Sequence, residues 1–254
     1  MSDANVISGR ALRSTVTADG EVVLAVQPIE VGPPGPDDVI VRVEASPINP
    51  SDLGMLLAGA DPTSASVAEA GTTLRLPDGA LAGLGGRVGR AMPVGNEGGG
   101  VVVAAGDGAA AQALLGRTVA ILGGGMYGTH RQIAADQCLV LAEGTDPRDA
   151  ASCFVNPLTA LGMTDTMRRE GHTALVHTAA ASNLGQMLQR ICLADGIDLV
   201  NIVRRPAQAE LLREQGATEV VDSSSPDFTD ELVAALRRTG ATIAFDAIGG
   251  GDLA

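Results

Sequence analysis

Apolar residues in the first 145 positions gather in short runs bounded by glycine and proline. Residues 22–26 and 39–43 read as strands, and Gly32-Pro33-Pro34-Gly35-Pro36 between them reads as a loop. Residues 100–105 and 117–122 repeat the pattern between glycines. Strands at this spacing predict a small all-β barrel or sandwich. Residues 59–95 are rich in Gly, Ala, Ser and Pro without clear periodicity, so a long surface loop is expected there.

The pattern changes near residue 150. A helix is predicted over 156–167, then strands over 173–177, 198–203, 219–222 and 242–246. Helices over 184–195, 207–215 and 228–238 separate them, the last two stopping at Gly216 and Gly240. Such alternation predicts a parallel sheet with helices on both faces. The fold class is therefore α/β, with a β-rich domain over 1–145 and a dinucleotide-type domain over 146–254. A full doubly wound sheet has about six strands, and the pattern supplies four. The sheet is thus expected to be incomplete at the C-terminus, the sequence ending Gly249-Gly250-Gly251-Asp252-Leu253-Ala254 where another helix would begin.

Composition narrows the chemistry. All 17 cations are Arg, which excludes Schiff bases, Tyr-Lys pairs and a phosphate-loop lysine. A net charge of −13 argues against a nucleic-acid surface. Three scattered cysteines, no apolar N-terminal stretch of signal length and no long uncharged apolar run lead to an expectation of a cytoplasmic protein without a membrane span. Cys138, Cys153 and Cys192 read as small core residues, and His130, His172 and His177 lack metal-ligand spacing, so no metal is expected.

The turn after the first predicted parallel strand is Thr178-Ala179-Ala180-Ala181-Ser182-Asn183-Leu184-Gly185. On a G-x-G-x-x-G pattern, Ala180, Ser182 and Gly185 occupy the glycine positions, and only the third is kept. A helix starting there offers N–H groups and a positive dipole end to a pyrophosphate, although an ordinary strand-to-helix turn reads the same way. Arg204 and Arg205 stand about 20 residues on, where an acid would select NAD. Two arginines favour the 2′-phosphate of NADPH, the alternative being a solvated pair opening a helix.

Asn156-Pro157-Leu158-Thr159-Ala160, the turn above, Asn201 to Pro206, Gly216-Ala217-Thr218-Glu219-Val220-Val221, Ile48-Asn49-Pro50-Ser51-Asp52 and Gly95-Asn96-Glu97-Gly98 together resemble the medium-chain dehydrogenase/reductase superfamily. Within it they are most similar to the zinc-free quinone oxidoreductase and 2-enoyl thioester reductase branch. The resemblance implies a GroES-like β-barrel domain followed by a Rossmann sheet, an active site between them, and a homodimer for the full-length protein. It implies NADPH-dependent hydride transfer to a small-molecule quinone, enone or similar acceptor. Asn49 is the expected donor to the substrate carbonyl and Asp52 the residue fixing its loop, unless the pair simply caps a helix. Tyrosines that the branch carries after this motif are absent, with Gly54 and Ala60-Asp61-Pro62 in their places. Tyr127, the sole tyrosine, is a candidate proton donor or substrate wall, or a packing residue. Thr159, Thr178, Ser182, Asn183, Leu184, Gly185, Arg204 and Arg205 form the expected cofactor set. The missing tyrosines keep a second class open, an NADPH-binding sensor with little catalysis.

Overall fold

The computed structural model describes residues 6–249. The C-terminal residues at which incompleteness was expected lie, from 250 onward, outside that range. The chain divides between Val155 and Asn156 into two compact units.

The first unit holds β1 (Ile7–Val16), β2 (Glu21–Val31), β3 (Asp38–Ala45), α1 (Pro50–Leu57), β4 (Asp61–Ala68), β5 (Gly71–Arg75), β6 (Ala91–Pro93), β7 (Glu97–Ala105), α2 (Ala109–Gln112), β8 (Thr118–Leu122), β9 (His130–Ala134) and β10 (Cys138–Val140). They form two five-stranded sheets, β4-β5-β2-β1-β6 and β10-β8-β7-β3-β9, antiparallel throughout. β3 is buried on both faces at Val39, Ile40 and Val41, and it packs with Val102, Val119, Ile121 and Met126. A smaller core forms around Val16, Val22, Ala60 and Leu74. This curled antiparallel half-barrel is the GroES-like part of the α/β fold.

The 59–95 segment is not the long loop expected from sequence. It contains β4, β5, a 3₁₀ turn over Ala80–Arg87 and β6. β5 pairs with β2 from Glu21↔Arg75 to Leu24↔Thr72, and β4 hangs on β5 at Val67↔Thr72 and Ala68↔Gly71. Seven of eight β4 side chains are exposed, so the ladder holds this strand by its backbone and leaves no inside/outside alternation to read.

The second unit carries α3 (Val155–Arg169), β11 (Ala174–His177), α4 (Asn183–Asp195), β12 (Asp198–Val203), α5 (Pro206–Glu214), β13 (Glu219–Asp222), α6 (Phe228–Thr239) and β14 (Ile243–Phe245). The strands are parallel in the order β13-β12-β11-β14, a Rossmann half-sheet. Every residue of β11 is buried. Ala174 and Val176 pack towards Ala235 of α6, whereas Leu175 meets Met163 and Met167 of α3 and Leu188 and Cys192 of α4. Two-sided burial of β11 and β12 explains the continuous apolar runs that revealed these two strands. Gly196 and Gly240 end α4 and α6 in the left-handed conformation. Among the described residues no helix is long and apolar enough to cross a membrane.

His177 ends β11 beside Asn201 of β12, and both are buried. Neither ring nitrogen of His177 has a hydrogen-bond partner among the described residues, while Asn201 donates to Gln189 Oε1 at 2.8 Å. Burial pushes the imidazole down to about 4. Protonation of the unfolded chain begins near pH 6.5, before the folded chain takes up the proton. Stability present above that pH is therefore lost as pH falls towards 4, by about 3 kcal/mol in total from this residue. Denaturant melts of the wild type and His177→Leu between pH 7.5 and 4.5 should show a flatter pH dependence in the variant. Identical slopes would show that His177 does not govern this loss.

Candidate dinucleotide site and a polar cluster

Each strand of the parallel sheet hands its chain to a turn at the carboxyl edge, and these turns surround a cavity of about 570 Å³. Thr178 to Ser182 follow β11, Arg204 follows β12, Ser223 follows β13, and Asp246 follows β14. The cavity lies at the carboxyl ends of all four strands, where open α/β sheets bind ligands. Its volume suits a small-molecule site.

The β11–α4 turn is built for close approach. Ala179 takes the left-handed conformation (φ +53°), and Ala180 N donates to Ile202 O at 3.2 Å, tying the turn to β12. Ser182 caps α4, its Oγ accepting from Gly185 N at 3.1 Å. A Cβ on Gly185 would overlap the carbonyl of Ala180, so the helix sits against the turn only because this residue has no side chain. That is the packing role of the third glycine in the nucleotide fingerprint.

The sequence-predicted cofactor residues separate here. Thr178, Ser182 and Arg204 line the cavity together, whereas Arg205, Asn183, Leu184 and Thr159 are not among its lining residues. Arg205 is the exposed N-cap position of α5, and Leu184 packs against the Leu175–Leu188 core. Asn183 opens α4 and Thr159 lies on α3, both exposed. Gln208, Ser223 and Asp246 line the cavity and were not singled out from sequence. Their signal was positional: two follow a strand directly, and Gln208 sits one turn into α5, its Oε1 accepting from Arg204 N at 3.2 Å.

In the first unit, Asn49, Asp52 and Tyr127 belong to one polar cluster. Asn49 is the N-cap of α1 and Asp52 its third residue, joined as a capping box. Asp52 is buried, its Oδ2 accepting from Asn49 N at 2.7 Å and its Oδ1 from Asn96 N at 2.7 Å. Asn49 Nδ2 donates to Glu97 Oε1 at 2.9 Å. The other oxygen of this buried carboxylate accepts from Phe154 N at 2.8 Å and Val155 N at 3.1 Å. Glu97 is thus the hub of the cluster, a role its place in a glycine-rich strand did not announce. Tyr127 donates its hydroxyl proton to Pro47 O at 3.0 Å. Burial, and then the nearby Asp52 carboxylate, push the phenol up to about 12. Its ring lies against Gly95, where a Cβ would overlap Tyr127 and where φ is +90°.

Two measurements follow from this geometry. Gly185→Ala should lower stability by ~1–3 kcal/mol through overpacking, read as a depressed melting temperature, and an unchanged melt would refute the close approach. Glu97→Ala removes the carboxylate that accepts from Asn49 Nδ2, Phe154 N and Val155 N and should cost at least ~2 kcal/mol. Glu97→Gln, which keeps a carbonyl oxygen, should lose distinctly less in the same melt.

No protein-family profile matches the chain. Among curated relatives, the rat (Rattus norvegicus) synaptic vesicle membrane protein VAT-1 homolog is 28% identical over 238 residues, covering 92% of this chain and 52% of the relative. The chain thus spans about half the length of the curated relatives it matches first. Among solved structures, a protein named as an NADPH:quinone reductase from Mesorhizobium loti superposes with a TM-score of 0.70 at 28% identity, over 96% of this chain and 68% of the other. The mitochondrial 2-enoyl thioester reductase heterodimer of Candida tropicalis superposes with a TM-score of 0.69 at 22% identity, over 96% and 70%, a likeness of fold. Sequence and fold together carry the resemblance of this chain to the medium-chain dehydrogenase/reductase superfamily, in its quinone reductase and enoyl thioester reductase branch.

Proposed function

We propose that this chain belongs to an NADPH-dependent oxidoreductase that reduces quinones or other activated C=C or carbonyl compounds by hydride transfer. The observation that carries the reading is the cavity at the carboxyl edge of the parallel sheet, with Arg204 on one wall and the capped N-terminus of α4 on another. The residues present fit a pyrophosphate-bearing nucleotide. Gly185 lets the helix end approach the turn, the helix dipole favours an anion there, and no acidic residue directly follows β12 to repel a 2′-phosphate. The names of the M. loti and C. tropicalis neighbours, and a heterodimer in the latter, support the same class of activity and a paired assembly for the whole protein.

NADPH, when bound, supplies a hydride from C4 of its nicotinamide. Arg204 would hold the 2′-phosphate, and the β11–α4 turn would hold the pyrophosphate. In the first unit Asn49 orients the acceptor's carbonyl, and Asp52 and Glu97 hold Asn49 in place. An acceptor reduced by hydride would also need a proton. Tyr127 serves as a wall rather than the acid, because its hydroxyl proton is directed to Pro47 O. Water then supplies the proton.

A second reading, an NADPH-binding sensor with little turnover, draws on that same commitment of Tyr127 to Pro47 and of Asn49 and Asp52 to a helix cap. Loss of NADPH absorbance with a panel of quinones and enones separates the two readings. Tight NADPH binding without oxidation by any acceptor favours the sensor.

Fluorescence titration should show NADPH preferred over NADH. Arg204→Ala should reduce the preference about 10–100-fold, the worth of one or two hydrogen bonds to a charged phosphate. Arg205→Ala should do much less, since it does not line the cavity. Equal affinity for both nucleotides would refute the 2′-phosphate assignment.

A further inference from the structure

Asp246 poses a difficulty for an anion-binding cavity, because a carboxylate on its wall would repel phosphate. The hydrogen bonds around it resolve the difficulty. Asp246 Oδ1 accepts from Thr178 Oγ1 at 2.7 Å and from Ile248 N at 2.9 Å, and its Oδ2 accepts from Gly249 N at 3.1 Å. Thr178 Oγ1 in turn accepts from Ala247 N at 2.8 Å. Thr178 N donates to Phe245 O at 3.2 Å, so the turn after β11 and the chain leaving β14 are joined by both backbone and side chain. The hydroxyl's single proton goes to Asp246 and one of its lone pairs to Ala247, which directs Thr178 at its neighbours rather than at a phosphate. The carboxylate is held below its usual range, first by the Thr178 hydroxyl and then by the Ile248 amide.

We infer that Asp246 and Thr178 form a latch that positions residues 247–249 as the β14-side wall of the nucleotide cavity. Both are positioning residues. They act on the cofactor through the segment they fold, of which Ile248 and Gly249 line the cavity. The turn would otherwise leave the amides of Ala247, Ile248 and Gly249 to water and the wall mobile, so part of the binding free energy would go into ordering it. The inference rests on the reading of this cavity as a nicotinamide-nucleotide site, but the latch itself is a property of the free protein.

The test uses the 254-residue chain with three substitutions: Thr178→Val, which keeps the shape and removes the hydroxyl, Thr178→Ser, which keeps the hydroxyl, and Asp246→Ala. Amide hydrogen exchange at Ile248 and Gly249 reads the latch without ligand, and NADPH titration reads its consequence. Thr178→Val and Asp246→Ala should each speed exchange at those amides at least tenfold and weaken NADPH about tenfold, with exchange in β11 and β12 unchanged. Thr178→Ser should restore both readouts. The double variant Thr178→Val/Asp246→Ala should be no weaker than the worse single variant, since both remove one device. Wild-type exchange in Thr178→Val and Asp246→Ala would overturn the latch. Faster exchange with unchanged NADPH affinity would overturn its positioning role. A wild-type chain that binds no NADPH, with exchange still responding to the substitutions, would sink the cofactor reading and leave the latch standing.

Discussion

The contact between Gly185 and the carbonyl of Ala180 is the constraint on which the second unit's architecture turns. A parallel sheet releases every strand at the same edge, and each released chain needs somewhere to go. Here the chain leaving β11 reverses through Ala179 in a left-handed conformation and starts α4 directly over the edge. Any side chain at Gly185 would lift the helix off the turn. The lift would disturb the packing of Leu188 and Cys192 on Leu175, and with it the core that fixes β11 between β12 and β14. One residue thus links the core to the shape of the cavity. The helix end that a pyrophosphate would meet is the same end that closes the hydrophobic layer.

The first unit solves a different problem. Asp52 and Glu97 are both buried, and no salt bridge among the described residues includes either. Amides take the place of a counter-cation: two backbone N–H groups for Asp52, and two backbone N–H groups with the Asn49 side chain for Glu97. Hydrogen bonds from several neutral donors can offset much of the desolvation of a carboxylate. They also fix geometry more tightly than a long flexible cation does. The result is a rigid loop around Asn49, whose side chain is oriented by two elements far apart in sequence.

β11 and β12 were legible because burial on both faces leaves unbroken apolar runs, and glycines mark the helix ends. The strands over 198–203 and 219–222 were read at the bounds the structure shows. The 59–95 region was illegible for the opposite reason. In β4 (Asp61–Ala68) the backbone pairs while the side chains face solvent. At the candidate site, Ser182, Gly185 and Arg204 were recognisable from spacing after the first strand. Asp246 and Ser223 were not, because what matters about them is where their strands end, and an acid or serine after a strand is otherwise an ordinary turn residue. Glu97 was visible only as part of a glycine-rich motif, and its partners at Phe154 and Val155 lie more than fifty residues on.

Charge adds a last constraint. A chain of net charge −13 with 17 arginines and no lysine sets up a field that opposes the approach of an anionic nucleotide. Salt confines that field to about 8 Å at physiological ionic strength, so recognition falls to groups within the cavity itself. Those groups are few. Arg204 is the cation on its wall, and the N-terminus of α4 adds partial positive charge. Asp246 is the opposing charge, and its oxygens are occupied by Thr178 and by backbone amides of the same wall. A carboxylate so engaged spends its field on the protein's own donors, which would let an acidic side chain stand beside a bound phosphate. On the nucleotide reading proposed above, one acid would shape the wall and one base would read the ligand, and a globally acidic surface need not compromise either.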